Sequence, residues 1–204
     1  MTRRQKRGCA LLVVSLVLVL SAMALHLAER QRDALAGENA QILLRQLELN
    51  RVSTDLTLDG AMSQKPQQSQ NDAEPVKEYL GYSMIGTLRI PSVGIELPIL
   101  DDWSDALLNV APCRYSGSVA GNDMILMGHN YRSHFTPLHG IALGAAVEFR
   151  DVNGVSYHYT VAAIEYLHKS QAEELPSAYP LTLFTCTAGG QNRIIVRCDY
   201  GENS

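Results

Sequence analysis

Residues 9–28 form an uncharged run rich in Leu, Val and Ala, preceded at once by Arg3, Arg4, Lys6 and Arg7. As a helix the run spans ~30 Å, the thickness of a bilayer's hydrocarbon core. The flank that follows is of mixed sign, with Glu29, Arg30, Arg32 and Asp33. Four basic residues before the run, against a mixed-sign flank after it, place the N-terminus in the cytoplasm and everything beyond residue 29 outside. A cleavable signal peptide is the competing reading, since Ala22, Met23 and Ala24 resemble a cleavage site. The uncleaved anchor is favoured because the apolar run continues past that site. Both readings export the remainder of the chain.

Without the four basic residues of the head, 17 Lys and Arg fall to 13 against 21 Asp and Glu, a net charge of −8. No basic tract recurs, so nucleic acid is excluded as a partner on electrostatic grounds. Of the four cysteines, Cys9 lies at the membrane edge, which leaves Cys113, Cys186 and Cys198 outside. An odd number leaves one thiol free. Cys113 and Cys198 are then either bridged or two buried, reduced thiols.

The organisation expected is a cytoplasmic tail over residues 1–8, a transmembrane anchor over 9–28, a helical and flexible stalk over 29–78 and a folded domain over 79–204. Ala28, Leu35, Ile42, Leu49 and Leu56 recur every seven residues. Gln31, Glu38 and Arg45 occupy the second seam position, which excludes a coiled coil and leaves one apolar stripe for the membrane or the domain. Residues 59–75 are polar and read as a spacer. Short apolar runs then alternate with turn residues, predicting strands over 84–90, 95–100, 123–127, 145–150, 156–166, 181–185 and 193–198. Residues 105–110 suit a short helix. The fold class is mostly β, a barrel with short helices behind an N-terminal transmembrane helix.

Cys186 ends the run Thr182-Leu183-Phe184-Thr185-Cys186, which is apolar on both alternating faces up to Phe184, before the chain turns through Gly189 and Gly190. A thiol there stands on a stiff strand at a barrel rim. A thiol of ordinary pKa, about 8.5, is only a few per cent thiolate near neutrality and needs a proton acceptor. His129 follows Gly128 at the end of another apolar strand, the same rim geometry, and is preferred to His134. His158 sits inside an alternating strand and His168 in a polar loop. His129, His134 and His139 are spaced by five, off the helical i, i+4 face, and Pro137 interrupts them. No metal site and no cofactor are expected. Arg193 and Arg197 share one strand face. Either can reach beside Cys186; Arg193 is nearer the connecting loop, and Arg197 reads as a surface residue.

These residues resemble those of the sortases, membrane-anchored cysteine transpeptidases of Gram-positive bacteria. The resemblance rests on the segment from Ile85 to Pro98, on Gly128-His129-Asn130, and on Thr182 to Cys186 followed by Arg193. It implies an eight-stranded sortase β-barrel, with Cys186 as nucleophile, His129 as general acid and base, and Arg193 holding substrate and oxyanion. It implies cleavage of a C-terminal sorting signal in secreted surface proteins or pilins through a Cys thioester. The acyl group would pass to a peptidoglycan-precursor or pilin amine. The connection over residues 167–180 has no room for the long helix of class B members, and Glu173 and Glu174 read as solvated charge. A tethered β-barrel that only binds, or another extracellular thiol transpeptidase, are the alternatives; the Ser-His-Gly-Cys run of L,D-transpeptidases is absent.

Overall fold

A computed structural model describes residues 3–58 and 74–201 and begins with α1 (Arg3–Leu58), a single unbroken helix. Nine strands follow: β1 (Lys77–Tyr79), β2 (Tyr82–Ile90), β3 (Ile95–Leu100), β4 (Cys113–Ser116), β5 (Met124–Met127), β6 (Ala146–Asp151), β7 (Ser156–His168), β8 (Leu181–Cys186) and β9 (Asn192–Tyr200). The order β2-β3-β4-β5-β8-β9-β7-β6 returns to β2 through the β2–β6 pairing, so eight strands close a barrel. Closure leaves those eight without a free edge for another chain to pair with. β1 extends the start of β2 by an antiparallel pairing, Tyr79 opposite Tyr82.

All seven predicted strands form. Two more were not legible. β4 has four residues after Pro112 and a single parallel bridge to β3, Leu100 to Cys113. Its extended form comes from pairing with β5, not from local pattern. The expected helix is α2 (Asp105–Leu108), where the Ser104 hydroxyl caps the Leu107 N–H. In the β6–β7 turn, Asp151 Oδ1 accepts from the N–H groups of Asn153 and Val155, as an Asx turn requires.

The barrel interior is filled from every wall: Leu88, Phe149, Tyr159, Leu183 and Val196 are buried there. A second cluster lies outside the sheet, where Ile125, Phe184 and Ile195 are covered by Leu175. β5, β8 and β9 are therefore buried on both faces. Cys113 and Cys198 are free and buried, each thiol pushed up to about 12, chiefly by burial.

Of the two expected partners for the stripe on α1, the domain is not the one it meets. Leu35, Ile42 and Leu49, the seven-residue stripe, are exposed. The face against the barrel is Ala36, Ala40, Leu43, Leu44 and Leu47, recurring at helical spacing. Ala40 joins the main core, and Leu43 and Leu47 pack with Tyr79, Met84 and Leu100. Small residues come first, so the helix approaches closest near Ala36. Of the expected spacer, residues 59–73 lie outside the described part. Glu74 is fixed: it is buried, and its Oε2 accepts from the Val119 N–H at 2.8 Å.

Leu43→Ala and Leu47→Ala should each lower stability by about 2–4 kcal/mol in urea unfolding of the detergent-solubilised chain, and Ile42→Ala by no more than about 0.5 kcal/mol. Equal losses at the three positions would contradict this assignment of the buried face.

Candidate active site

Three neighbouring strand ends carry the predicted residues. β5 and β8 run parallel with Met127 beside Phe184, and the Gly128 N–H donates to the Phe184 carbonyl at 3.2 Å. The ladder ends at Met127 and Phe184; His129 follows the end of β5 by two residues, and Cys186 ends β8. Across the other edge of β8, Cys186 is directly opposite Arg193 in the antiparallel pairing with β9. The three residues thus stand at the ends or just past the ends of the neighbouring strands β5, β8 and β9. Neighbouring strands lie about 4.8 Å apart.

Cys186 is exposed, although the five residues before it in β8 are all buried. The stiff support is what the apolar pattern predicts. His129 is half-buried, and burial holds it below the usual histidine value, with the Asp105 charge opposing. Its imidazole is therefore neutral near pH 7 and able to accept a proton. Arg193 lies over the Phe184 ring, 5.5 Å from its centroid. Its Nε is buried without a hydrogen-bond partner among the described residues. A cation fixed by a ring face and not spent on a carboxylate suits a developing negative charge.

Arg197 is not the surface residue expected. It is buried, with Nε on Glu165 Oε2 at 3.2 Å, Nη1 on the Leu175 carbonyl and Thr182 Oγ1, and Nη2 on the Glu174 carbonyl at 2.8 Å. The physical reason is the segment between β7 and β8, which folds over the outer face through a 3-10 turn at Ala172–Glu174. Strand periodicity gives no sign of such a cover. Arg197 staples that segment to the sheet, while Arg193 faces Cys186.

The two histidines differ in setting. His134 is buried against α1 and its pKa falls to about 4, mainly through burial and despite nearby Asp33. His129 is the one at the rim. Its loop is shaped locally: the Gly128 position leaves only 2.7 Å between a built Cβ and the Phe135 ring, so no larger residue fits there. The Phe135 N–H returns to the His129 carbonyl, and the Tyr131 ring packs at a tilt against His129, centroids 4.8 Å apart, and donates its hydroxyl to Asn109. Tyr131, and Asp33 of α1 bonded to Ser133, carry no sequence signal, because their partners lie far along the chain.

The sequence model of the Sortase domain family matches residues 88–200. No curated protein sequence matches the chain. Among solved structures, the chain is similar to sortase C1 of Streptococcus suis, with 22% identity, a TM-score of 0.53, and 59% of this chain and 74% of that one covered. It is similar to a lid mutant of sortase A from Corynebacterium diphtheriae at 22% identity and TM-score 0.53, covering 68% and 75%. Sortase C from Clostridium perfringens gives 22% and 0.51, covering 81% and 91%. Identities this low speak for the fold alone.

Two outcomes follow from the buried groups. Arg197→Met should destabilise the chain by about 2–4 kcal/mol, since it leaves the Leu175 and Glu174 carbonyls and the Thr182 hydroxyl without their donor, and Arg193→Ala by less than about 1 kcal/mol. Similar losses in urea unfolding would refute the division between them. His134 has a folded pKa below its unfolded value of 6.5, so its contribution is complete above pH 6.5 and lost as pH falls towards 4. His134→Leu should remove about 3 kcal/mol of the stability change between pH 7 and pH 4. Parallel pH–stability curves for variant and parent would contradict that.

Proposed function

The chain belongs to the sortase family, and on that premise we propose that Cys186, His129 and Arg193 carry a sortase-type transpeptidation at the barrel's outer face. The observation that supports these assignments is the pairing of the exposed Cys186 with Arg193 across β8 and β9, with His129 two residues past the end of β5, the strand on the other side of β8.

The substrate in this reading is a Thr–Gly-type peptide bond in a C-terminal sorting signal of a secreted surface protein or pilin. Cys186 Sγ attacks the carbonyl carbon while His129 takes the thiol proton. The carbonyl oxygen gains negative charge, and Arg193 stabilises it. The C–N bond breaks, His129 returns the proton to the departing amine, and a thioester remains. An amine of a peptidoglycan precursor or a pilin then attacks the thioester, His129 removes its proton, and the thiol leaves reprotonated. The proton count closes without any cofactor. A neutral His129 fits the first step, because it begins as an acceptor. Losing one oxyanion donor costs about 10²–10³ in rate.

The apolar part of α1 fits a membrane anchor: among the described residues it is the one helix long and apolar enough to cross a bilayer, and its side chains from Leu12 to Leu27 pack on nothing in the protein. We place the basic head in the cytoplasm and the barrel outside, where sorting signals and wall amines meet.

Full-length protein in detergent, given a panel of Thr–Gly peptides and an amine, should yield ligated product detectable by mass spectrometry. His129→Ala should reduce turnover by about 10² or more and Arg193→Ala by about 10²–10³, with His134→Ala retaining the greater part. Activity that survives His129→Ala but not His134→Ala would overturn the assignment.

A further inference from the structure

The loop that carries His129 is held from outside the barrel by α1, and we propose that this helix is a working part of the active site: docked against residues 131–134, it positions His129 through Asp33. The proposal rests on the reading of His129 as the proton carrier. Asp33 Oδ1 accepts from the Ser133 N–H at 3.0 Å and lies 2.6 Å from the Ser133 hydroxyl, which is also 2.9 Å from the Asp33 carbonyl. One turn on, a Cβ at Gly37 would come within 2.8 Å of the Ser133 Cβ. Helix and loop approach there more closely than a side chain allows.

From this joint, contact passes without a gap to the site. His134, next to Ser133, is buried against the helix, and its ring lies 5.5 Å from that of Tyr131. Tyr131 in turn lies 4.8 Å from His129. The loop's other bonds run from His134 and Thr136 N–H to the Tyr131 carbonyl, from Phe135 N–H to the His129 carbonyl, from the Thr136 hydroxyl to Asn130 and from the Tyr131 hydroxyl to Asn109 just past α2, while the His134 ring meets the backbones of Ala36 and Val110. Asp33 adds the bonds that tie Ser133 itself to α1.

The same helix is the candidate anchor. Asp33 stands five residues past Ala28, ~7.5 Å along the axis, and α1 is unbroken between them. The histidine loop thus sits at the membrane-proximal end of the docked segment, joined to the anchor by rigid helix instead of a linker. Misplacing a reacting group by ~1 Å can cost up to ~10² in rate. A joint of this kind makes proton transfer depend on the helix being seated, and Asp33 a positioning residue.

The test compares full-length parent, Asp33→Ala, Asp33→Asn and the exposed control Glu38→Gln in detergent, with Cys186→Ala alongside. Amide exchange is followed over residues 131–136, and turnover is followed with a fluorogenic Thr–Gly peptide and glycinamide as amine. Asp33→Ala should speed exchange in that loop about tenfold. It should lower kcat by about 10–10² with KM within about twofold. Asp33→Asn keeps the acceptor oxygen and should restore both, and Glu38→Gln should match the parent. Loop exchange unchanged in Asp33→Ala overturns the proposal, with or without a turned-over peptide. So does a kcat kept within twofold, or an Asp33→Asn as impaired as Asp33→Ala. Turnover that survives Cys186→Ala would instead overturn the chemistry proposed for the site, and exchange would still decide the joint.

Discussion

β5 and β8 lie side by side and parallel, although β6 and β7 come between them in the chain. The Gly128 N–H to Phe184 carbonyl bond is the last rung of that pairing. A shift of one residue in this register would turn the side chains of one strand to the opposite face. Both strands are buried on two faces, by the barrel interior and by the Leu175 cover, so a slip would expose a full set of apolar side chains. Hydrophobic burial away from the strand ends is thus what fixes the register from which Cys186 and His129 emerge.

The outer face shows two uses of one residue type. Arg193 and Arg197 lie four residues apart on the same side of β9. Arg197 spends its donors on Glu165, Thr182 and two carbonyls, and so becomes structure. Arg193 rests on Phe184 with its Nε unpartnered among the described residues, and so keeps hydrogen-bonding capacity for something else. The first fixes the segment roofing the sheet, and the second stands beside the exposed thiol. Neither could replace the other without emptying one of these roles.

Much of this was legible in the chain. Alternation and turn residues located seven strands, and Cys186 does end β8 as an exposed thiol, with His129 just past the end of β5. What was hidden is of one physical kind. β4 exists through pairing with β5, the cover over β9 comes from a segment with no periodicity, and His134 is buried by a helix about a hundred residues upstream. The seven-residue stripe on α1 marks a face without saying what that face meets, and it does not meet the barrel. Ala36 and Ala40, weak in any hydropathy reading, are the residues that let the helix approach. Long-range contacts decided each of these points, and local sequence does not record them.

α1 runs without a break from its apolar segment into residues 36–47, which pack against the barrel. The central claim, though, concerns a single sulfur atom. Its most direct measurement is intact-mass and peptide-mapping mass spectrometry of full-length protein quenched in acid during reaction with Thr–Gly peptides, without added amine. The account predicts an added acyl mass ending at the peptide's Thr, located on Cys186 and released by hydroxylamine as a thioester is. Peptide cleavage proceeding with no adduct on Cys186, or with the adduct on Cys113 or Cys198, would contradict it.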